Sequence, residues 1–333
     1  MMKAQVIEQV GPANVFTLKE IEKPAAKAGE VVIAVKATSV NPIDTKVRSG
    51  AVAAAPALPA ILHGDVAGIV VEVGEGVTAF QVGDEVYGCA GGFKSFTGGA
   101  LAEFLAADAR LLAKKPHNLT MEQAAALPLV TITAWEALFE RGNLQQGESI
   151  LIHGATGGVG HIAIQLAKWA GATVYTTVSS DEKAALAKQL GADHVIYYKE
   201  EAVADYVARY TDGEGFDIIF DTVGGANLDR SFEAAALGGR IVAIAARSTH
   251  DLSPLHSKGL TLHVVFMMLK LLKDELHANC GHILTEVTAI AEGGQLVPHI
   301  DARHFTFDEI TQAHELMESG QAVGKIVVKN EWA

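Results

Sequence analysis

The chain has 333 residues, 49% of them apolar and 6% aromatic, and its formal net charge at pH 7 is −13. This length is enough for two domains with buried cores. The acidic balance argues against a nucleic acid or an anionic membrane as the main partner.

Cysteine usage and the apolar segments predict a cytoplasmic protein. The two cysteines, Cys89 and Cys280, cannot form a disulfide framework and fit a reducing compartment. The N-terminus has neither the long apolar segment nor the cleavage site of a signal peptide. The apolar stretch 260–272 is interrupted by His263 and Lys270 and is too short to span a bilayer.

The first third of the chain is predicted to be β-rich. Apolar alternation between turn residues predicts strands at 29–37, 67–74 and 99–105, and residues 82–88 are predicted as a tight turn into a short strand. Closely spaced strands with turn signals between them are typical of a barrel-like all-β domain.

From Thr120 onward the pattern changes to alternating helices and strands. Thr120 is a candidate N-cap for a helix that begins at Met121. The later elements are predicted as strand 149–153, helix 158–170, strand 173–177, helix 181–190, strands 194–197 and 216–220, helix 226–236 and strand 240–245. This alternation predicts a doubly wound parallel sheet in an α/β protein.

The segment after residue 272 is predicted to contain helices 283–292 and 307–319 and a last strand, 324–328. It is too short to fold alone, so we expect it to return to the N-terminal domain. An earlier segment, 260–268, has the pattern of an edge strand followed by apolar side chains.

Residues 150–160 have the pattern of a dinucleotide-binding turn. An apolar strand runs into a glycine-rich turn that opens onto a helix with an apolar face. Gly157 would let the backbone approach a pyrophosphate, and Gly160 would let the helix pack closely on the strand. Ala155 replaces the first glycine of the usual G-x-G-x-x-G pattern, and an ordinary glycine-rich turn is the alternative interpretation.

The end of the next strand bears on the choice of cofactor. NAD-specific sites have an acidic residue here for the ribose 2′-hydroxyl, whereas this chain has Val178. Ser179, Ser180 and Lys183 follow, and two hydroxyls with a cation favour the 2′-phosphate of NADPH. In the alternative interpretation Ser180 is a helix N-cap and Lys183 is a solvated helix residue.

Several segments together carry a family pattern. They are the dinucleotide segment 147–168, the loop Asn41-Pro-Ile-Asp44 followed by Arg-Ser-Gly at 48–50, and the segments 191–196 and 324–328. With these segments the chain resembles the medium-chain dehydrogenase/reductase superfamily, and within it the zinc-independent quinone oxidoreductase branch related to ζ-crystallin.

The resemblance implies a fold and an assembly. It implies a GroES-like β-barrel catalytic domain formed by residues 1–124 and 272–333, and a Rossmann domain at 125–271, with the active site in the cleft between them. It also implies a homodimer that pairs through the edge strand near 260–268. Phe266 and Met267 would then face a partner or a substrate, and core packing is the alternative.

The resemblance also implies a set of cofactor-binding residues. Those expected to wrap the pyrophosphate are Ala155, Gly157, Gly158 and Val159, with Thr156 beside them. Those expected at the 2′-phosphate are Ser179, Ser180, Lys183 and Tyr198. Those expected at the nicotinamide end or in the rest of the cofactor site are Asn41, Thr133, Val223, Ala245 and Lys325. Structural alternatives remain for Thr133 as a packed helix residue, Tyr198 as an edge-strand residue and Asn41 as a turn residue before Pro42.

The zinc ligands of the superfamily's alcohol dehydrogenases have no clear counterpart here. Asn41 stands at the position of the first ligating cysteine, and His63-Gly64-Asp65 replaces a Gly-His-Glu segment. A reduced set of His63, Asp65 and Cys89 is the alternative, because three protein ligands and a water can hold a catalytic zinc. In the interpretation that we prefer, His63 packs beside Pro59 and Asp65 caps a turn. We therefore predict no metal site.

A site without zinc can deliver hydride from NADPH to an acceptor that is already electrophilic, such as a quinone or an α,β-unsaturated carbonyl. Asn41 and Lys46 are the candidate catalytic residues, since either could donate to the developing oxyanion. The final proton would come from water or Lys46. The branch often has Tyr at the position of Lys46, and a solvated surface lysine is the alternative there. The competing functions are a zinc-dependent alcohol dehydrogenase and a non-catalytic NADPH-binding or crystallin-like protein.

Overall fold

A computed structural model describes residues 1–332 and divides into two compact units. The first unit contains Met1–Ile132 and the chain from Met268 onward, and the second contains Thr133–Met267. The C-terminal segment therefore belongs with the N-terminal strands.

The secondary structure follows the chain in three stretches. The N-terminal stretch contains β1 (Met2–Ile7), β2 (Phe16–Ile21), β3 (Glu30–Val40), α1 (Pro42–Arg48), β4 (Ala60–Ile61), β5 (Asp65–Val73), β6 (Glu85–Cys89), β7 (Phe104–Asp108), β8 (Leu112–Lys114), α2 (Met121–Ala125) and α3 (Pro128–Trp135). The middle stretch contains β9 (Ser149–His153), α4 (Gly160–Trp169), β10 (Thr173–Val178), α5 (Asp181–Gln189), β11 (His194–Tyr197), α6 (Val203–Thr211), β12 (Phe216–Asp221), α7 (Asn227–Ala234), β13 (Ala235–Ala243), α8 (Ser253–Lys258) and β14 (Thr261–Val264). The C-terminal stretch contains α9 (Met268–Leu272), α10 (His277–Glu292), β15 (Phe305–Thr306), α11 (Ile310–Ser319) and β16 (Ile326–Lys329). Single 3₁₀ turns lie at Ala13–Val15, Ala109–Leu111, Asp274–Leu276 and Phe307–Glu309, and a π turn lies at Glu136–Arg141.

The first unit is organised around the long strand β3. β3 pairs with β5, β7 and β16, all antiparallel, in a sheet whose order is β15-β16-β3-β5-β6-β8. A second sheet has the order β2-β1-β4. Val40 at the end of β3 lies opposite Ile326 at the start of β16. The residues that follow β3 therefore lie next to the residues that precede β16.

The second unit contains a six-stranded parallel sheet with the order β11-β10-β9-β12-β13-β14. Numbered from β9, this is the order 3-2-1-4-5-6 of a Rossmann fold, and the strand order reverses between β9 and β12. The predicted α/β class with a doubly wound sheet is confirmed. Strands 149–153 and 194–197 have the predicted bounds.

Some predicted elements are displaced or missing. The strand expected at 99–105 is wrong in position, because the observed strand is β7; residue 102 makes only an isolated bridge to residue 4. Helix α6 was not predicted, although Val203 and Tyr206 on its inner face have helical spacing. Helix α10 begins at His277, six residues before the predicted start at 283. Among residues 1–332, every helix is too short or too polar to cross a membrane.

Candidate functional site

The turn between β9 and α4 is shaped by two glycines. Gly154 has a φ of +84°, and a Cβ on it would lie 2.6 Å from the Thr222 Oγ1 atom. A Cβ on Gly160 would lie 2.0 Å from the carbonyl oxygen of Gly154, so the helix could not begin this close to the strand with any other residue. Gly154 lies one residue before the G-x-G-x-x-G spacing that starts at Ala155, so that pattern does not indicate its role.

Gly157 differs from these two glycines, because the protein itself leaves room for a side chain there. A Cβ on Gly157 would meet nothing closer than the Gly154 carbonyl oxygen, at 3.5 Å. Gly157 is exposed and Gly158 and Val159 are half-buried at the start of α4, whereas Ala155 and Thr156 are buried. An open, glycine-lined surface at the N-terminus of a ten-residue helix fits the pyrophosphate of a dinucleotide.

The carboxyl end of β12 is fixed by Asp221 next to this turn. The buried Asp221 carboxylate accepts hydrogen bonds from the backbone N–H groups of Val223 and Gly224, each at 2.8 Å. The Thr222 hydroxyl donates a hydrogen bond to the carbonyl oxygen of His153 at 2.6 Å. This bond connects the loop to the end of β9. The loop after β13 lies against it, because a Cβ on Gly224 would be 2.0 Å from the Ala245 carbonyl oxygen. The loop that contains Val223 therefore lies against the loop that contains Ala245.

The four residues predicted at the 2′-phosphate lie at the adjoining ends of β10 and β11. Val178 ends β10 and is buried, and its carbonyl oxygen accepts the backbone N–H of Tyr198 at 3.3 Å. Ser179 and Lys183 are half-buried and Tyr198 is 42% exposed. Ser180 accepts the backbone N–H of Lys183 at 3.4 Å, so it has the N-cap role that was the structural alternative.

The acidic residue at the start of α5 is held by a tyrosine. The Tyr197 hydroxyl donates to Asp181 Oδ1 at 2.7 Å. Elsewhere in the second unit, Thr133 is buried on α3, as expected for a packed helix residue.

In the first unit, Asn41 lies in a buried polar cluster that we call the Asn41 cluster: Ser39, Asn41, Asp65 and Lys325. The Asn41 side-chain amide donates to Asp65 Oδ2 at 2.8 Å, and its oxygen accepts a hydrogen bond from the Lys325 ammonium. Ser39 donates to the same Asp65 oxygen at 2.6 Å, and the Lys325 Nζ lies 3.4 Å from it. The other Asp65 oxygen accepts the backbone N–H of Leu129 at 2.8 Å, at the start of α3. The predicted residues Asn41 and Lys325 are therefore in direct contact.

Asp44 completes the local structure at the start of α1. Its carboxylate accepts the backbone N–H of Asn41 at 2.7 Å, and Pro42 occupies the first helical position. Asp44 is fully buried, and burial raises its pKa to about 7, with a further contribution from the negative charge of Asp65. The sequence analysis names Asp65 only as an alternative zinc ligand and gives Asp44 no role in the site, although the i, i+3 spacing of Asn41 and Asp44 is the signal of a capping box.

Lys46 lies on the exposed side of α1. Its neighbours Thr45, Val47 and Arg48 are buried, so the helix directs them toward the core and Lys46 toward solvent. A catalytic role for Lys46 stays a prediction.

The Asn41 cluster is not a donor set for zinc. His63 is buried apart from it, with Nδ1 3.3 Å from Thr38 Oγ1 and Nε2 2.9 Å from His314 Nε2. Burial lowers the pKa of His63 and raises that of the Cys89 thiol. The Lys325 ammonium occupies the space beside Asn41 and Asp65 that a cation would need, and it brings a like charge.

Another group of possible metal ligands lies elsewhere in the described chain. Asp108, Asp274 and His277 have ligand atoms within 4.8 Å of one another. The Arg110 guanidinium already pairs with both carboxylates. This group was not among the residues that the sequence singled out, and the arginine offsets one of its two negative charges.

Two family models match the chain, and curated relatives match nearly all of it. The models are "Alcohol dehydrogenase GroES-like domain" at residues 27–117 and "Zinc-binding dehydrogenase" at residues 158–278. The quinone oxidoreductase of Rattus norvegicus is 32% identical over 330 residues, which cover 98% of this chain and 97% of the relative. The chain belongs to the medium-chain dehydrogenase/reductase superfamily, in its ζ-crystallin-like quinone oxidoreductase branch.

Other members of the superfamily support this placement. The "NADPH-dependent alkenal/one oxidoreductase, chloroplastic" of Arabidopsis thaliana is 35% identical over 336 residues, covering 98% of this chain and 79% of the relative. The structure of an alcohol dehydrogenase superfamily protein from Novosphingobium aromaticivorans has a TM-score of 0.94 at 41% identity and covers 99% of both chains. Membership implies an oxidoreductase with a nicotinamide cofactor. The description of the second family model names zinc, whereas the residues of the Asn41 cluster do not form a donor set for that metal.

Proposed function

We propose that this protein is an NADPH-dependent reductase that transfers hydride to a quinone or an α,β-unsaturated carbonyl without zinc. The observation that carries the proposal is the buried Lys325 ammonium, bound to the Asn41 amide oxygen and next to Asp65. It supplies a fixed positive charge where a zinc enzyme would hold its metal. Relatives described as a quinone oxidoreductase and an NADPH-dependent alkenal/one oxidoreductase support the acceptor class.

The residues at the ends of β10 and β11 favour NADPH over NADH. Lys183 offers an ammonium, Ser179 offers a hydroxyl, and Tyr198 offers a phenol that is partly exposed. A 2′-phosphate would find charge-assisted donors there. The usual carboxylate for a ribose 2′-hydroxyl is replaced by the buried Val178.

The cofactor, when bound, supplies the hydride, and the protein's own groups orient and stabilise the acceptor. Hydride addition to the β-carbon of an enone, or to a quinone, places negative charge on the carbonyl oxygen. In our proposal that oxygen is met by the Asn41 amide N–H, and the positive charge of Lys325 lowers the free energy of the oxyanion. One proton from water or from Lys46 then completes the two-electron reduction.

We also propose a homodimer that pairs through β14, the edge strand of the parallel sheet. An edge strand presents unpaired backbone groups that a second copy can bind. Val264 is 52% exposed and Phe266 is 42% exposed, whereas Met267 is buried in this chain. Phe266 is therefore the residue proposed to face a partner or a substrate, and Met267 packs in the core.

The test is cofactor consumption by chelator-treated protein, with NADPH and NADH in parallel. The acceptors are a panel of 1,4-quinones and 2-alkenals, and simple alcohols are assayed with NADP in the reverse direction. We expect NADPH oxidation with a quinone or an alkenal, and a loss of kcat of at least about ten-fold in Asn41→Ala, since one oxyanion donor is worth about that much or more.

Lys46→Ala is the companion variant. A fall in kcat would support Lys46 as the proton donor, and an unchanged kcat would leave that step to water. Activity only with alcohols, lost on chelation, would overturn the proposal in favour of a zinc alcohol dehydrogenase. Tight NADPH binding without turnover of any acceptor would favour a non-catalytic role.

A further inference from the structure

The Asn41 amide lies between a group that can only donate hydrogen bonds and a group that can only accept them. Its oxygen faces the Lys325 ammonium, and its nitrogen faces the Asp65 carboxylate at 2.8 Å. We propose that Lys325 and Asp65 are positioning residues that hold this amide in one orientation, so that Asn41 presents an N–H to the reacting acceptor. This inference rests on the proposed role of Asn41 in the reductase.

A flipped Asn41 amide would lose both of its favourable contacts. A rotation of 180° would place the amide N–H₂ group against the ammonium and the amide oxygen against the carboxylate. Both contacts would become repulsive inside a buried cluster, where unpaired polar groups are costly. Only one orientation of Asn41 satisfies both neighbours.

The sheet fixes the positions of Lys325 and Asp65, the two neighbours of the Asn41 amide. Lys325 precedes β16, Asn41 follows β3 and Asp65 begins β5, and these three strands are adjacent in one antiparallel sheet. The Asp65 carboxylate is held further by the Ser39 hydroxyl and by the backbone N–H of Leu129. Lys325 is only 2% exposed, so its ammonium cannot turn into solvent.

The orientation selects the kind of oxygen that Asn41 can bind. One N–H of the amide is used by Asp65, and the second N–H remains a donor, whereas the amide oxygen is engaged by an ammonium. A donor binds a carbonyl oxygen that gains negative charge, as in the reduction of an enone or a quinone. The oriented amide therefore offers an N–H to an oxygen that gains negative charge, while its own oxygen is already engaged by Lys325.

The test is a double-mutant cycle with Lys325→Met, Asp65→Asn and the double variant, and with Lys329→Met, at the end of β16, as a control. Lys329 is exposed, so the control is expected to keep the wild-type Tm and kcat. Each single variant leaves one buried charge without its partner and is expected to lower Tm. The double variant removes both charges, so we expect Tm to recover while kcat stays at least about ten-fold below wild type, because the amide is no longer oriented.

A readout without cofactor separates this inference from the proposed function. Selective ¹⁵N labelling of asparagine, with Asn41→Ala for assignment, reports the side-chain amide of Asn41 in the cofactor-free protein. We expect two distinct, slowly exchanging proton signals in wild type and averaged, rapidly exchanging signals in the double variant. If wild type reduces no quinone or enone, the proposed function fails, and the amide signals still decide the positioning. Recovery of kcat together with Tm in the double variant, or unchanged amide signals, would overturn the inference.

Discussion

The carboxyl group of Asp44 accepts the backbone N–H of Asn41 at 2.7 Å through one oxygen, and its other oxygen is buried with no hydrogen-bond partner among the described residues. Burial raises the pKa of Asp44 to about 7. The buried group of Asp44, Asp65 and Lys325 therefore changes its net charge near neutral pH. A proton is held next to the residue that we propose to bind the acceptor.

The first prediction concerns Asp44→Asn and the pH dependence of stability. The folded pKa of Asp44 is about 7 and its ordinary value is 3.8, so between these values the folded state binds a proton that the unfolded state releases. The free energy of unfolding should fall as pH rises from 4 to 7, by up to about 4 kcal/mol from this group. Asparagine cannot ionise, so the variant should be more stable than wild type at pH 8 and lose most of that advantage at pH 4.

Urea unfolding at several pH values between 4 and 8 measures this difference, and Asp301→Asn is a control of opposite sign. Hydrogen bonds from Arg303 lower the pKa of Asp301 to about 2, so its ionised form stabilises the fold above pH 4. We expect Asp301→Asn to be less stable than wild type at pH 8. An Asp44→Asn protein that is less stable than wild type at pH 8 would mean that the folded state needs the ionised carboxylate.

The second prediction separates the two roles of glycine in the dinucleotide turn. In Gly160→Ala the new Cβ would lie 2.0 Å from the carbonyl oxygen of Gly154, so we expect a lower Tm and a loss of cofactor binding. In Gly157→Ala the new Cβ meets only an ordinary contact of 3.5 Å, so Tm should stay near wild type. Cofactor affinity should nevertheless fall, because the methyl group would occupy the surface proposed for the pyrophosphate.

Thermal unfolding of the cofactor-free protein and fluorescence titration with NADPH measure the two effects separately. Wild-type NADPH affinity in Gly157→Ala would show that the pyrophosphate does not approach this part of the turn.

The third prediction concerns cofactor choice. Lys183→Ala should weaken NADPH binding by about ten-fold or more, because a hydrogen bond to a charged group contributes about 1.5–3 kcal/mol. NADH binding should change little, since NADH has no 2′-phosphate. Lys188→Ala, an exposed lysine on the same helix α5, is the matched control. Equal loss of NADH and NADPH affinity in Lys183→Ala would place the lysine away from the 2′-phosphate.

The fourth prediction concerns metal. Because the Lys325 ammonium lies against Asn41 and Asp65, we expect purified protein to contain far less than one zinc per chain by elemental analysis. Treatment with a chelator should leave NADPH-dependent turnover unchanged, and added zinc should not raise it. One zinc per chain, with activity that is lost on removal and restored by zinc, would contradict this expectation.

Sequence patterns were most informative where structure is local. The alternation of strands and helices between residues 149 and 245 predicted the parallel sheet, because hydrophobic periodicity reports which face of each element is buried. The same reasoning missed α6, although Val203 and Tyr206 carried the signal. It also placed a strand at 99–105 instead of β7, where glycine and alanine give little periodicity.

The roles of several site residues depend on tertiary contacts and burial that short sequence patterns do not report. Ser180 was open to two interpretations because a serine before a helix can cap it and can also face a phosphate, and the N-cap bond to Lys183 is now seen. Lys46 and Asp44 are two residues apart on one short helix, yet one is exposed and the other is buried. The sequence alone could not tell which of these polar groups the fold would remove from water.

By itself the sequence determined the doubly wound parallel sheet, the glycine turn and the family resemblance, since each motif that carries them is a short segment of the chain. The tertiary structure decided that Asn41, Asp65 and Lys325 form one cluster, because the pairing of β16 with β3 and of β3 with β5 joins residues from distant parts of the chain. Burial then decided their chemistry. A carboxylate, an amide and an ammonium that are removed from water must form hydrogen bonds with one another. These hydrogen bonds fix the orientation of the Asn41 amide.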